Sequence, residues 1–279
     1  MEMNAIVPGV VVPVNAYITR ITAPNPGMMT GPGTNAYLIG KSQLALIDPG
    51  PAIDAHVDKL LAEARGRLRW ILCTHTHLDH SPAAALVKRA LPEVEVIGMP
   101  PPNDGRQDAT FVPERVPRHG DAVDCGEFRL RAIHTPGHAS NHLCYLLERD
   151  RLLFTGDHVM QGSTVVINPP DGDMIEYLRS LELLLAEDLA ALAPGHGHVI
   201  DAPHEEVRKL IKHRLGREQK VIDAFARINP ATLDELTPIV YGDVSQRLHA
   251  VAQRSLTAHL IKLQCEGRVR EQQERWQLL

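Results

Sequence analysis

The chain is 279 residues long, with 44 % hydrophobic residues, 4 % aromatic residues, 15 histidines and a net charge of −5. This length suits one large domain, or a domain with a small module, and its core must lean on Leu, Val, Ile and Ala. Four cysteines, Cys73, Cys125, Cys144 and Cys265, show neither CxxC pairing nor disulfide-framework spacing, which excludes a disulfide-stapled scaffold.

Residues 5–18 are apolar but interrupted by Pro8, Gly9 and Pro13, and they carry no basic leader. The stretch is too short to span a bilayer and reads as an edge strand. Without a secretion signal the expected compartment is the reducing cytoplasm, which suits free thiols, and no membrane partner is expected. Cys73 and Cys144 fall in strand-like sequence and read as buried thiols.

Residues 68–74 (LRWILCT) read as a short buried strand, and residues 81–91 as an alanine-rich helix. Between them stands His75-x-His77-x-Asp79-His80, three imidazoles and a carboxylate in six residues. Burying such groups unpaired is costly. A divalent cation offsets that cost, since neutral imidazole and carboxylate are the ligands zinc and similar ions take.

Ligand-type residues recur beyond three further strands. Residues 128–133 (FRLRAI) alternate as a strand does and run into His134-Thr135-Pro136-Gly137-His138. Residues 151–154 (RLLF) end in Thr155-Gly156-Asp157-His158, and residues 189–193 (LAALA) end in Pro194-Gly195-His196-Gly197-His198. Each motif sits beside glycine, where the backbone turns tightly, at the kind of strand end on which α/β sites are built. Residues 99–118 read as a loop bordering the pocket, either a lid or a connection.

The ordered set His-x-His-x-Asp-His, Gly-His, Gly-Asp and Pro-Gly-His-Gly resembles the metallo-β-lactamase-fold hydrolases. The resemblance implies a four-layer αββα sandwich opened by paired strands over residues 33–39 and 46–50. It assigns His75, His77 and His138 to a first metal, and Asp79, His80 and His196 to a second. Asp157 then bridges the two, and Asp48 supports the ligand loop without being a ligand. The implied cofactors are two divalent ions, zinc first, with iron and manganese also suited to these ligands. Two such ions sharing one water bring its pKa towards neutrality, so that a metal-bridging hydroxide attacks and no serine or cysteine nucleophile is needed. Asp79 is the candidate catalytic residue, both ligand and orienter of that hydroxide. His142 reads as a group packed or hydrogen-bonded behind the site, His134 as one serving the Thr-Pro-Gly-His loop, and His158 as a supporting or substrate-contacting group. His198 competes with His196, which the Pro-Gly-His-Gly pattern favours. Where relatives carry Gly-Gly after the ligand loop, this chain has Ser81-Pro82-Ala83-Ala84, which puts the pocket floor in question more than the ligands.

The tail changes character. Residues 204–279 hold 13 Lys+Arg against 10 Asp+Glu, whereas residues 1–203 are acidic. A long charged helix is expected over residues 205–228, broken by Asn229-Pro230. A short helix follows over 232–240, opened by a Thr232 cap with Glu235 three residues on. A third helix covers 245–265, with Leu248, Val251, Leu256, Leu260 and Leu263 as its stripe, and a hairpin covers 268–278. This order is that of a winged helix. With the segment His213-Arg214-Leu215-Gly216-Arg217-Glu218-Gln219, the whole resembles the lactamase-beta-like 2 endoribonuclease family. Residues 1–210 are accordingly assigned to the hydrolase domain and 211–279 to a winged-helix-like module.

Three functions follow. The first is a dinuclear-metal hydrolase of phosphodiesters in single-stranded RNA, the basic tail holding phosphates. The second keeps the metals and takes a small acyl substrate, a thioester or lactone. The third is a non-enzymatic metal-sensing nucleic-acid binder, disfavoured because the third tail helix offers only Arg247, Arg254 and Lys262. The tail otherwise serves to pack, or to join two copies as a homodimer.

Overall fold

The computed structural model describes residues 5–279. Two compact units are present, and neither is continuous in sequence. The first comprises the chain to Thr135 together with Asn141–Ser163 and Asp188–Pro203. The second comprises Pro136–Ser140, Thr164–Glu187 and His204–Leu279.

Two sheets make the first unit. One runs β1 (Val11–Pro13), β2 (Ile18–Thr22), β3 (Asn35–Gly40), β4 (Leu44–Ile47), β5 (Leu68–Leu72) and β6 (Glu95–Ile97), paired in that order. The other contains β7 (Ala122–Asp124), β8 (Arg129–His134), β9 (Leu143–Leu147), β10 (Leu152–Gly156) and β11 (Ala191–Pro194), in the order β11-β10-β9-β8-β7. Helices α1 (Asp54–Ala64) and α2 (Ala83–Ala90) pack on the first sheet through Val57, Leu60, Ala84 and Val87.

Direction of pairing decides where the motifs fall. β4, β5 and β6 are mutually parallel. β10 is parallel to β11, and β8 and β10 both run antiparallel to β9, hence parallel to each other. The carboxyl ends of β4 and β5 therefore open on one edge of their sheet, and those of β8, β10 and β11 on one edge of theirs. All five lead into ligand-type sequence.

Between the sheets lies the main core, in which Ile18, Tyr37, Ile47 and Leu72 meet Leu130, Tyr145, Leu147 and Phe154. Each such side chain, fully removed from water, is worth about 1.5–3 kcal/mol. Tyr37 and Phe154 meet edge to face with ring centroids 5.1 Å apart. The buried phenols also anchor loops: Tyr37 donates to the Pro194 carbonyl at 2.8 Å and Tyr145 to that of Cys73 at 3.1 Å. Cys73, Cys125 and Cys144 are buried free thiols, and Cys265 is an exposed one.

The second unit contains α3 (Met174–Leu185), α4 (Pro203–Ala224), α5 (Leu233–Val240), α6 (His249–Cys265) and the hairpin β12 (Val269–Gln272) with β13 (Arg275–Leu278). Its core gathers Val221, Phe225, Leu236, Val240, Leu256, Leu260, Leu263, Val269 and Trp276. Thr232 caps α5 in a full capping box with Glu235, as its sequence announces. Gln273 and Glu274 both take positive φ, the mirror-type turn that suits the twist of a two-residue hairpin.

Three sequence expectations are corrected in detail. α4 ends at Ala224, with turns over 225–227 before Asn229-Pro230, so the proline is not what stops it. The third tail helix begins at His249, after a separate 3₁₀ turn at Gln246–Leu248. The N-terminal edge strand is only the three residues of β1, because Pro8 and Gly9 precede it and Pro13, which has no N–H to donate, ends it. Among the described residues, no helix is long and apolar enough to cross a membrane.

Candidate metal centre

Six of the seven ligands expected from sequence lie in the first unit, on loops leaving β5, β10 and β11. His75 Nε2 and His77 Nδ1 stand 3.0 Å apart. His80 Nε2 lies 3.4 Å from both Asp79 Oδ2 and Asp157 Oδ1, and His196 Nε2 lies 3.3 Å from the same two oxygens. Within the first unit, two groups of ligand atoms are mutually within 4.8 Å, His75/His80/Asp157 and Asp79/His80/His196. Gly195 permits this closeness, since a Cβ there would stand 2.7 Å from His80 Cε1 and 2.9 Å from Asp157 Oδ1. At Gly156 (φ +46°) a Cβ would run into the Thr74 hydroxyl beneath the ligand loop.

The opposite ring nitrogens are fixed, which sets the tautomers. His80 Nδ1 donates to Asp48 Oδ2 at 2.9 Å, His75 Nδ1 to Thr74 Oγ1 at 3.0 Å, and His196 Nδ1 to the Gly33 carbonyl at 3.1 Å. In each ring Nε2 is left to face the cluster. His138 lies in the second unit, on the loop following β8, and its Nδ1 donates to the Val166 carbonyl at 2.8 Å.

Asp48 does more than touch His80. It is buried and takes a positive φ of 50°, and it also accepts from Thr74 N at 2.7 Å and Thr74 Oγ1 at 2.8 Å. One carboxylate thus ties the end of β4 to the start of the ligand loop, the supporting role expected of it.

Charge in the cluster is arranged for a cation. Burial works against a proton on His80, but Asp79, Asp157 and Asp48 outweigh it and hold the ring's pKa well above the ordinary histidine value. His196 is likewise opposed by burial and raised by Asp157 and Asp79, to about 10. Burial opposes charge on Asp79 and Asp157 too, yet the facing imidazoles hold both below the ordinary carboxylate range. His75 is pushed the other way, first by burial and then by the neighbouring rings. His80 Nε2 is buried without a hydrogen-bond partner. A nitrogen so placed, between two carboxylates, has the donor chemistry of a metal site. The residues present therefore fit divalent ions.

The remaining histidines sort themselves by position. His142 stacks on His75 with centroids 5.0 Å apart, and its Nδ1 meets Thr135 Oγ1 at 3.0 Å, so it packs behind the site. His158 is fully buried beside His142, with ring centroids 5.8 Å apart. His198 is in none of the ligand groups formed among the described residues. Asp108 and Gln107, in the loop of residues 99–118, hold the ligand loop: Ser81 Oγ donates to Asp108 Oδ2 at 2.7 Å and Thr76 Oγ1 to Gln107 Oε1 at 2.5 Å. Ser81 is thereby a structural donor.

Sequence reasoning passed over several contributors. Thr34 Oγ1 donates to Asp79 Oδ2 at 3.0 Å. Asn35 Nδ2 bridges the Pro194 and Gly197 carbonyls at 3.0 and 2.9 Å, fixing the His196 loop from β3. Neither has a ligand-type side chain, and only the pairing of distant loops exposes their part.

Comparison with known proteins identifies the family. Residues 29–196 match the metallo-beta-lactamase superfamily model, and residues 232–276 match the beta-lactamase-associated winged helix domain. A Drosophila melanogaster protein named beta-lactamase-like protein 2 homolog is 31 % identical over 91 % of this chain and 89 % of its own length. An Aspergillus fumigatus protein named atrochrysone carboxyl ACP thioesterase is 30 % identical over 84 % of this chain and 77 % of its own. The crystal structure of a metallo-beta-lactamase family protein from Thermus thermophilus superposes with a TM-score of 0.79 at 22 % identity, covering 96 % of this chain and 100 % of that one. On the matched model and these relatives, the chain belongs to the metallo-beta-lactamase superfamily of hydrolases and carries that superfamily's associated winged helix at its C-terminal end.

Proposed function

We propose that the chain is a two-metal hydrolase of phosphodiesters in single-stranded RNA. His75, His77 and His138 hold one ion, Asp79, His80 and His196 hold the other, and Asp157 is shared. The observation that carries this reading is His80 Nε2, buried without a hydrogen-bond partner and 3.4 Å from two carboxylates. Bound divalent ions, zinc or else iron or manganese, would supply a water of near-neutral pKa and charge stabilisation at the leaving oxygen. Asp79 is the acid best placed to orient the attacking water, its side chain being 26 % exposed against 13 % for Asp157. Thr34 fixes the Asp79 carboxylate from behind. Metal ligation would occupy the imidazoles and carboxylates of the cluster, so attack falls to water.

Helix α4 supports RNA as substrate, since it presents exposed Arg208, Lys209, Lys212 and Lys220 along one face suited to phosphates. We assign hydrolysis to residues 1–210 and substrate holding to 211–279, where Lys212 and Lys220 continue the basic face begun at Arg208, in the cytoplasm. A second reading, acyl hydrolysis of a thioester, is favoured by the thioesterase name of the Aspergillus relative.

One assay separates them: hydrolysis of labelled single-stranded RNA beside a thioester and lactone panel, with metal-loaded protein and an Asp79→Ala control. RNA cleavage abolished in the control is the expected outcome. Acyl turnover without RNA cleavage moves the chain to the second reading.

A further inference from the structure

The second unit contains a chain of contacts that ends on a ligand. His138 Nδ1 donates to the Val166 carbonyl at 2.8 Å. The residues on either side of Val166 are both clamped. The Val165 carbonyl accepts from Arg214 Nη2, and Ile167 N donates to Ser255 Oγ at 3.4 Å. Arg214 sits on α4, and Ser255 on α6 of the winged helix. Both are buried, as are Val165 and Ile167. Arg214 is itself held over the Tyr177 ring, 5.2 Å from the centroid.

We infer that Arg214 and Ser255 are positioning residues for the metal centre, holding residues 165–167 so that the Val166 carbonyl fixes the ring and tautomer of His138. This rests on the reading of His138 as a ligand. A carbonyl accepting from Nδ1–H leaves the Nε2 lone pair for metal, and a ring so held loses less freedom on binding. Val166 lies in no helix or strand, so no regular ladder keeps its carbonyl in place. The two clamps, one on each neighbour, take that part. The C-terminal module thereby acts on the chemistry through a ligand's orientation, apart from any contact it makes with substrate. It also gives Arg214, in the segment His213-Arg214-Leu215-Gly216-Arg217-Glu218, a definite task.

The test is a Co²⁺ titration of the metal-free full chain, read by the visible absorption of the bound ion, with thermal melting alongside. Ser255→Ala and Arg214→Met are compared with Ser255→Thr, which keeps the accepting oxygen, and with His138→Ala, which removes the ligand. Expected is a loss of about tenfold or more in affinity for one of two Co²⁺ ions in Ser255→Ala and Arg214→Met, the usual effect of removing a ligand's partner. The other ion should be unaffected, and Ser255→Thr should restore the parent titration and spectrum. A purely structural role would lower the melting temperature without moving one ion selectively. Parent-like binding in both clamp variants, while His138→Ala loses an ion, overturns the positioning role alone. Retention of both ions by His138→Ala overturns the ligand reading beneath it.

Discussion

Replacing Asp48 by asparagine separates the carboxylate's charge from its shape. The native side chain accepts three hydrogen bonds, from Thr74 N, Thr74 Oγ1 and His80 Nδ1. Asparagine tolerates the positive φ of 50° at this position. Its single oxygen keeps the Thr74 N–H, and its NH₂ then faces His80 Nδ1. A donor there forces His80 to accept at Nδ1 and carry its proton on Nε2, the atom the metal needs. Metal affinity at the Asp79/His80/His196 group should fall about 10–100-fold, with a stability cost of only about 1–2 kcal/mol. Asp48→Ala is the contrasting case. It strands three buried donors at about 1–3 kcal/mol each and leaves alanine in a left-handed conformation, so it should cost upwards of about 3 kcal/mol. Isothermal titration with zinc and urea unfolding, run on both variants, read the two effects separately. Parent-like zinc binding by a folded Asp48→Asn protein would refute the claim that Asp48 sets the His80 tautomer.

Other perturbations reach different parts of the structure. Gly195→Ala places a Cβ against His80 Cε1 and Asp157 Oδ1, so metal content and turnover should fall at least about tenfold while the circular-dichroism spectrum stays native; elemental analysis checks this. His56 is buried, and burial lowers its pKa from 6.5 to about 4. Its folded form stays neutral where the unfolded chain takes a proton. It therefore contributes stability above pH 6.5 that is lost as pH falls towards 4, about 3 kcal/mol in all. His56→Gln should narrow the gap between unfolding free energies at pH 7.5 and 4.5 by about 2–3 kcal/mol, and an unchanged gap would show that His56 does not cause it. Lys262 is paired with Glu218 at 2.9 Å in the second unit, where both are largely buried. Lys262→Ala should cost about 3 kcal/mol in urea unfolding, the lower end for breaking a buried pair, because the Arg268 guanidinium 3.9 Å away partly compensates Glu218.

What the sequence made legible was local chemistry. Ligand-type residues beside glycine at strand ends announced the site, and the Thr232–Glu235 pair announced α5, because each signal lies within a few residues. Helix α3 went unread even though Asp173 marks its start, its Oδ1 accepting from Ile175 N and Glu176 N. Helix α1 has no capping side chain to signal it. Strands β6 and β7 are three residues each, too short for alternation to show. The supports of the site were the least readable. Thr34 lies 45 positions from Asp79, Asn35 lies 162 from Gly197, and Ser255 lies 88 from Ile167. Such partners are ordinary polar residues whose part is set by the pairing of strands and helices. Asp48 became readable only through the resemblance to a known family.

Elemental analysis of the purified chain, after loading with excess zinc and removal of unbound metal, bears most directly on the central claim. Two ions per chain are expected, with a loss in Asp157→Ala, which removes the proposed shared ligand. A chain that retains no stoichiometric metal, or whose metal content is indifferent to His75, Asp157 and His196 substitutions, would contradict the two-metal hydrolase.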